Sequence, residues 1–316
     1  MVTPSFVISA TSDRFWNLTE FIQFLVKHQR QAIELGVDPE AICLKSLGVY
    51  QLLDVFEFES VHIVTHNPLE EHSRYSIKKL RADSWFSMQP QLSSDLHTWN
   101  KQKIFYALFG RPTAARLGLA GYLFSHHAQL AHLHFSSPTN NDNLAQFELD
   151  KLLEFRIASV GEAAAIINRL PILLNSSDLY TANYGYYYHD PLTQRYRDIL
   201  VDVVVESHVK GRTFFPTEKT ARPMWLKKPF IMFASRDYLD YLHQMGFKTF
   251  CSYWSEDYDG YEGRERFLRI INLIDHIAQL PQQELFDMYL DMQPILEHNR
   301  QLLLNQSYSS EITQIL

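Results

Sequence analysis

The chain predicts an α/β fold in which parallel sheets are covered by helices. Short apolar runs recur between helix-period segments along most of its length, which is the alternation of βαβ units. The runs "KIFYALF", "TAARLGLAGYLFSHHAQL" and "AHLHFS" give strand, helix and strand over the roughly 30 residues of one such unit. The most strand-like segment, "ILVDVVVES" at 199–207, is apolar nearly throughout, as strands buried on both faces of a parallel sheet are. A length of 316 residues predicts two domains.

The elements follow in order. "SFVISA" (5–10) opens a sheet, and apolar residues at helical spacing predict a helix over 15–35 with Gly36 as its C-cap. "VHIVTH" (61–66) reads as a buried strand; 76–99 shows little periodicity, and "SMQPQLSSDLH" within it reads as loop. "KIFYALF" (103–109) is a strand, "GRP" a turn, and the next helix starts near Thr113. "AHLHFS" (131–136) is the following strand and "SPTNNDN" a turn cluster. "AQFELDKLLEFRI" and "GEAAAIINRL" predict two helices ahead of Pro171, before the tyrosine-rich connection 176–198. After the strand at 199–207 come a helix beginning near Pro216 and Thr217, the strand "PFIMFA", the helix "SRDYLDYLHQMG" and a short "FKTF". Two long helices, 261–280 and 282–304, close the chain on either side of Pro281.

Composition narrows the function. With 46% hydrophobic and 21% charged residues the chain has an ordinary globular make-up. The net charge of -7 argues against a protein that grips nucleic-acid phosphates. Cys43 and Cys251 form neither a metal-ligand spacing nor a disulfide framework, which fits a reducing compartment. "MVTPSFVISATSDRFW" lacks the basic and apolar regions of a signal peptide, and no run approaches a membrane span. A cytoplasmic protein is expected. The histidines of "SHHAQLAHLHF" (126, 127, 132 and 134) straddle a helix and a strand, so no metal site is expected from them. The acidic "SEDYDGYEGRER" lacks calcium-loop spacing and reads as a solvated loop.

The best strand runs into "SHVKGRTFFPTEKTARP". Glu218 and Lys219 fall in the first turn of the predicted helix, where free backbone N–H groups suit a phosphate. Arg222 lies four residues beyond Glu218, on the same helix face. In parallel sheets ligands settle beyond the carboxyl ends of the strands. There a carboxylate could accept ribose hydroxyls and a lysine or arginine could meet a diphosphate. The competing reading of Glu218 and Arg222 is a surface ion pair. Glu206 and His208, at the end of the same strand, could hold a ribose or base and a phosphate, or simply turn to solvent. The run "NYGYYYHD" (183–190) could line a sugar or base pocket, or pack between domains.

The segment "FFPTEKTARPMWLKKPFIMFASRDYLDYLHQMGFKTF" resembles the nucleotide-sugar-binding part of a group of glycosyltransferase-like proteins of bacteria, phages and large viruses. The shared elements are the "TEKTxRP" helix start, the "KPF" strand, the "YL…GFKTF" block and an acidic loop, here "WSEDYDG". More distantly, "TEK" is similar to the α-1,3-fucosyltransferases. The resemblance implies a GT-B-like fold, two Rossmann-like domains with parallel sheets facing a central cleft. It implies that Glu218 contacts the donor's ribose and Lys219 its diphosphate, with Thr217 at the helix start. "YALFGRPTAARLGLAGYL" is similar to the segment that opens the second domain in the same group. An arginine there approaches the phosphates, so Arg116, or alternatively Arg111, takes that role. The bulky Met224-Trp225 pair departs from the family pattern, and Trp225 reads as core. The likeness covers about residues 105–280 and nothing before Lys101.

From this follow an acceptor-side domain at 1–100, a nucleotide-sugar domain at 101–280 and a helical extension at 281–316. The expected function is metal-independent transfer of a sugar from a nucleotide-sugar to an unidentified acceptor, without a cofactor. An inverting reaction needs a base for the acceptor's proton. The resemblance puts it in the first domain, where Glu70, Glu71 and His66 follow a strand and Glu57 and Glu59 precede it. Lys227 and Lys228 read as a solvated helix end. The rival expectations are a nucleotide-sugar-binding protein without turnover, and a DNA-modifying glycosyltransferase, which the acidic balance disfavours.

Overall fold

A computed structural model describes residues 3–11, 14–37, 41–80, 97–110, 112–135, 152–153, 156, 159–172, 174 and 194–305. Two four-stranded parallel sheets organise the molecule, one in each half of the chain.

The first sheet takes β1 (Ser5–Ile8), then a small antiparallel pair β2 (Ala10–Thr11) and β3 (Arg14–Phe15) leads into α1 (Leu18–Lys27). Asn17 fixes that turn, accepting from Ser9 N at 2.9 Å and donating to Val7 O at 2.8 Å. Next come β4 (Ala32–Val37), α2 (Val49–Val55), β5 (Ser60–Thr65) and β6 (Ser76–Lys79), with the strands side by side in chain order. The helix expected over 15–35 is therefore a helix and a strand. Arg30 takes a left-handed φ of 60°, which stops the helix, and "AIELGV" alternates with the period of a strand rather than a helix. Gly36 lies inside that strand and caps nothing. Likewise β6 falls at the start of a stretch that shows little periodicity in the sequence; "SIKK" is too short and polar to signal itself.

One face of this sheet carries the core. Ile8, Ile33, Leu35, Val37, Val61 and Ile63 pack with Phe21 and Leu25 of α1 and with Val49, Tyr50 and Leu53 of α2. On the other face the in-register row Ser5, Glu34, His62 and Ser76 is exposed. Cover on both faces, expected for the sheets generally, thus fails here, because each strand alternates apolar and polar residues.

The second sheet matches the expectation. Its strands β7 (Phe105–Phe109), β8 (Ala131–Phe135), β9 (Val201–Val205) and β10 (Phe230–Phe233) stand in the order β10-β9-β7-β8. Every residue of β7, β9 and β10 is buried. The helices are α3 (Ala114–His126), α4 (Val160–Ile167), α5 (Glu218–Trp225), α6 (Tyr238–Gln244), α7 (Gly263–Gln279), α8 (Gln282–Asp291) and α9 (Gln293–Asn305). Thr113 caps α3, and Ser159 and Glu162 form a reciprocal capping box on α4. Gly121 lets α4 come close, since a Cβ there would lie 3.0 Å from Glu162 O. The helix expected at 282–304 is two helices; Pro294 at the second position of α9 lacks the N–H that a continuous helix needs. The closing helices join the same core through Leu285, Tyr289, Leu296 and Leu303. Among the described residues no helix is long and apolar enough to cross a membrane.

Two segments expected at the solvated surface hold buried side chains, although most of the acidic loop is exposed. In "SEDYDGYEGRER", Tyr258, Asp259 and Arg266 are buried. Arg266 donates to the carbonyls of Met232 and Ser235 at 3.0 Å and to Asp259 Oδ1 at 2.8 Å. It thereby holds the carboxyl end of β10. At the end of α5, Lys227 pairs with Glu297 at 2.9 Å. Lys228 is fully buried and donates to Thr98 O at 2.6 Å and Ile199 O at 3.1 Å. Its burial pulls the ammonium pKa down to about 7.

Candidate functional site

The chain leaves β7 for β8 on one side and later returns to β9 on the other. That makes the carboxyl edge between β7 and β9 a topological switch point, where α/β sheets leave a crevice for ligands. Two helices, α3 and α5, begin at this edge.

Glu206 builds the start of α5. Its carboxylate accepts from Thr217 N (3.1 Å), Thr217 Oγ1 (2.7 Å), Thr220 Oγ1 (2.5 Å) and Ser207 N (3.1 Å). It thus staples the strand end to the first turn of the helix, and it is buried. Nothing of this arrangement leaves it pointing to solvent, and its neighbours are its own loop, the first turn of α5 and Tyr238 of α6. Thr217 is the N-cap, accepting from Lys219 N at 3.3 Å.

Lys219 folds back over this helix start. Its Nζ lies 2.5 Å from Glu218 Oε1, 3.1 Å from Thr217 Oγ1 and 3.4 Å from Ser207 Oγ. Arg116, in the first turn of α3, is buried and its Nη2 donates to Val205 O at 3.4 Å. A lysine and an arginine from two helix starts therefore meet the consecutive residues 205–207. Glu218 is itself buried. His208, also buried, has its ring 5.8 Å from that of Phe215 in the same loop.

Arg222 does not join this group. It is buried on Tyr196 and Asp202, with Nη2 3.3 Å from Asp202 Oδ2 and Nε on the Tyr196 hydroxyl. Asp202 lies near the amino end of β9, so the helix carries Arg222 away from Glu218 and from the switch point. Neither a role at the diphosphate nor an ion pair with Glu218 survives. Burial pushes the Asp202 carboxyl up while the Arg222 charge opposes it. Trp225 belongs to the core, as expected. Arg111 and the tyrosine-rich run 183–190 lie outside the described residues.

In the first domain, Glu70 accepts from Leu44 N (3.0 Å), Tyr50 Oη (2.7 Å) and Asn67 Nδ2 (3.0 Å). Burial raises its carboxyl pKa. Glu71 is exposed and His66 half-buried. The residues that tie this loop to the second domain carry no motif. Asn67 Nδ2 donates to Arg212 O at 3.1 Å, and Thr213 Oγ1 donates to Ala41 O. Gly211, at φ +70°, passes so close that a Cβ would be 2.7 Å from Cys43 Cβ. Asn67 follows β5, residue 41 follows β4 and residues 211–213 follow β9. The loops at the carboxyl ends of the two sheets thus meet. The sequence hinted at Asn67 and at 211–213 through their position just past predicted strands, and at residue 41 not at all, since the strand before it was read as helix.

The histidines near α3 scatter to separate partners: His126 to Glu162 (2.8 Å), His127 to Asp275 (2.7 Å) and His132 to Asp198 (3.3 Å). No group of three or more metal-ligating side chains occurs among the described residues. No family model matches the chain, and no curated protein matches it as a relative.

Proposed function

We propose that this chain is a glycosyltransferase of GT-B-like arrangement that moves a sugar from a nucleotide-sugar to an acceptor held on the side of the first domain. The observation that carries the reading is the convergence of Lys219 and Arg116 on residues 205–207 at a topological switch point. The meeting of the carboxyl-end loops of both sheets supports it, because such loops bound a shared cleft.

In this reading the donor's diphosphate lies between the starts of α3 and α5. Substitution at the anomeric carbon builds negative charge on that diphosphate. Two positive side chains and two helix N-termini stabilise the charge as it forms, so the reading asks for no metal. Glu218 accepts the ribose hydroxyls. Glu206 and Thr217 position the helix start and do not touch the ligand. The acceptor's proton goes to a base of the first domain. Glu71, which is exposed, and His66 are the candidates there, and Glu70 is held by three donors. The reading takes the reaction as cytoplasmic, and the net charge of -7 disfavours nucleic acid as the acceptor.

That commitment of Glu70 also favours a second reading, a nucleotide-sugar-binding protein without turnover. Calorimetry and a donor-hydrolysis screen test both. Glu218→Ala, Lys219→Ala and Arg116→Ala are each expected to weaken nucleoside diphosphate binding by about tenfold or more. Unchanged binding in all three would sink the site. Binding with no turnover on any donor would select the second reading.

A further inference from the structure

Lys219 and Glu218 are adjacent on a helix, and adjacent helical side chains normally diverge. Here they touch at 2.5 Å because the lysine doubles back over Thr217. That puts an ammonium group at the positive end of α5, an unfavourable place unless an anion accompanies it. The anion that accompanies it is the protein's own Glu218.

We infer that the Glu218–Lys219 pair is a latch, opened only by a ligand that brings a diphosphate and a vicinal diol together. The inference rests on the nucleotide-binding reading above. A phosphate must displace Glu218 from Lys219. This leaves a carboxylate that is only 3% exposed without its cation, which is costly inside a protein unless hydroxyl donors replace it. A ligand with hydroxyls alone meets a carboxylate already occupied by the lysine. A ligand with phosphate alone strands the carboxylate. The nucleotide portion of a nucleotide-sugar satisfies both halves, so free phosphate or free nucleoside does not hold the site open. Ser207 and Thr217, whose hydroxyls already receive the ammonium, guide its retreat toward the strand end.

The test is calorimetry with inorganic pyrophosphate, uridine and guanosine, and UDP and GDP, on the wild type, Glu218→Gln and Lys219→Gln. The latch predicts that Glu218→Gln binds pyrophosphate about tenfold tighter and the better diphosphate about tenfold weaker. It predicts that Lys219→Gln binds the free nucleoside tighter and pyrophosphate weaker; if Glu218→Gln does not fold, this variant decides. If the wild type binds a diphosphate through Lys219 but Glu218→Gln leaves pyrophosphate unchanged or weaker, the latch is wrong and the nucleotide site stands. If neither UDP, GDP nor pyrophosphate binds the wild type, the nucleotide site itself fails and the latch with it.

Discussion

Glu206→Gln separates a framework residue from a ligand contact. The wild-type carboxylate receives two donors on each oxygen: Thr217 N and Thr220 Oγ1 on one, Ser207 N and Thr217 Oγ1 on the other. A glutamine keeps one acceptor oxygen and turns an NH2 toward the other pair. The threonine hydroxyls can rotate to accept from that NH2, but a main-chain N–H cannot. Whichever way the amide is turned, Ser207 N or Thr217 N faces a donor. One unmet donor costs roughly 1–3 kcal/mol, and the surviving bonds weaken from charged to neutral. The expected loss is about 3 kcal/mol. At about 2–4 °C per kcal/mol for a domain of this size, scanning calorimetry should record a melting temperature lower by about 6–12 °C. Nucleotide affinity, measured well below that temperature, should fall only as far as α5 is loosened. A variant that melts within a degree of the wild type yet loses nucleotide binding would refute this account and make Glu206 a direct contact.

Arg222→Met should destabilise by about 3–5 kcal/mol, because Asp202 is left charged and buried; adding Asp202→Leu should recover much of it in urea unfolding. Lys228, lowered to about 7 by burial, binds a proton more readily in the unfolded chain, whose lysines titrate near 10.4. Its contribution therefore rises with pH between those values, by at most about 1.4 kcal/mol per unit. The stability difference between wild type and Lys228→Met should shift in the wild type's favour from pH 7 to pH 9, and a flat difference contradicts the burial argument. Gly211→Ala meets both a left-handed φ and a 2.7 Å approach to Cys43. It should destabilise by more than about 1 kcal/mol and loosen the contact between the halves, seen as a larger radius of gyration in small-angle scattering.

The second sheet was readable because its strands are apolar on both faces and its helices carry caps, as at Thr113 and Thr217. In the first half, "AIELGV" hid behind a helix whose apolar residues ran into it, and only the turn at Arg30 separates the two. At the site, Glu218, Lys219 and Arg116 fall where a strand-turn-helix reading puts them. Arg222 did not follow, because i,i+4 spacing predicts a neighbour on the helix but says nothing of a buried acid on the strand beneath. Lys228 and Asp259 were misread for a related reason: composition marks them as solvated, and tertiary carbonyls, Arg266 and the Leu239 N–H make their burial tolerable. The contacts between the halves use single Asn and Thr side chains, which no periodicity announces.

Those contacts share one property. Asn67 reaches the main-chain oxygen of Arg212, and Thr213 that of Ala41. These two hydrogen bonds recognise backbone, whereas Gly211 is tied to its identity by the 2.7 Å approach to Cys43. The exposed side chain of Arg212, resting on Tyr241 at 3.1 Å, can change without undoing the hydrogen bond that its own carbonyl accepts. Position 212 on the rim of the junction can thus vary in charge and size while the two halves keep this bond, so the chemistry of that rim can change without a new way of joining the halves.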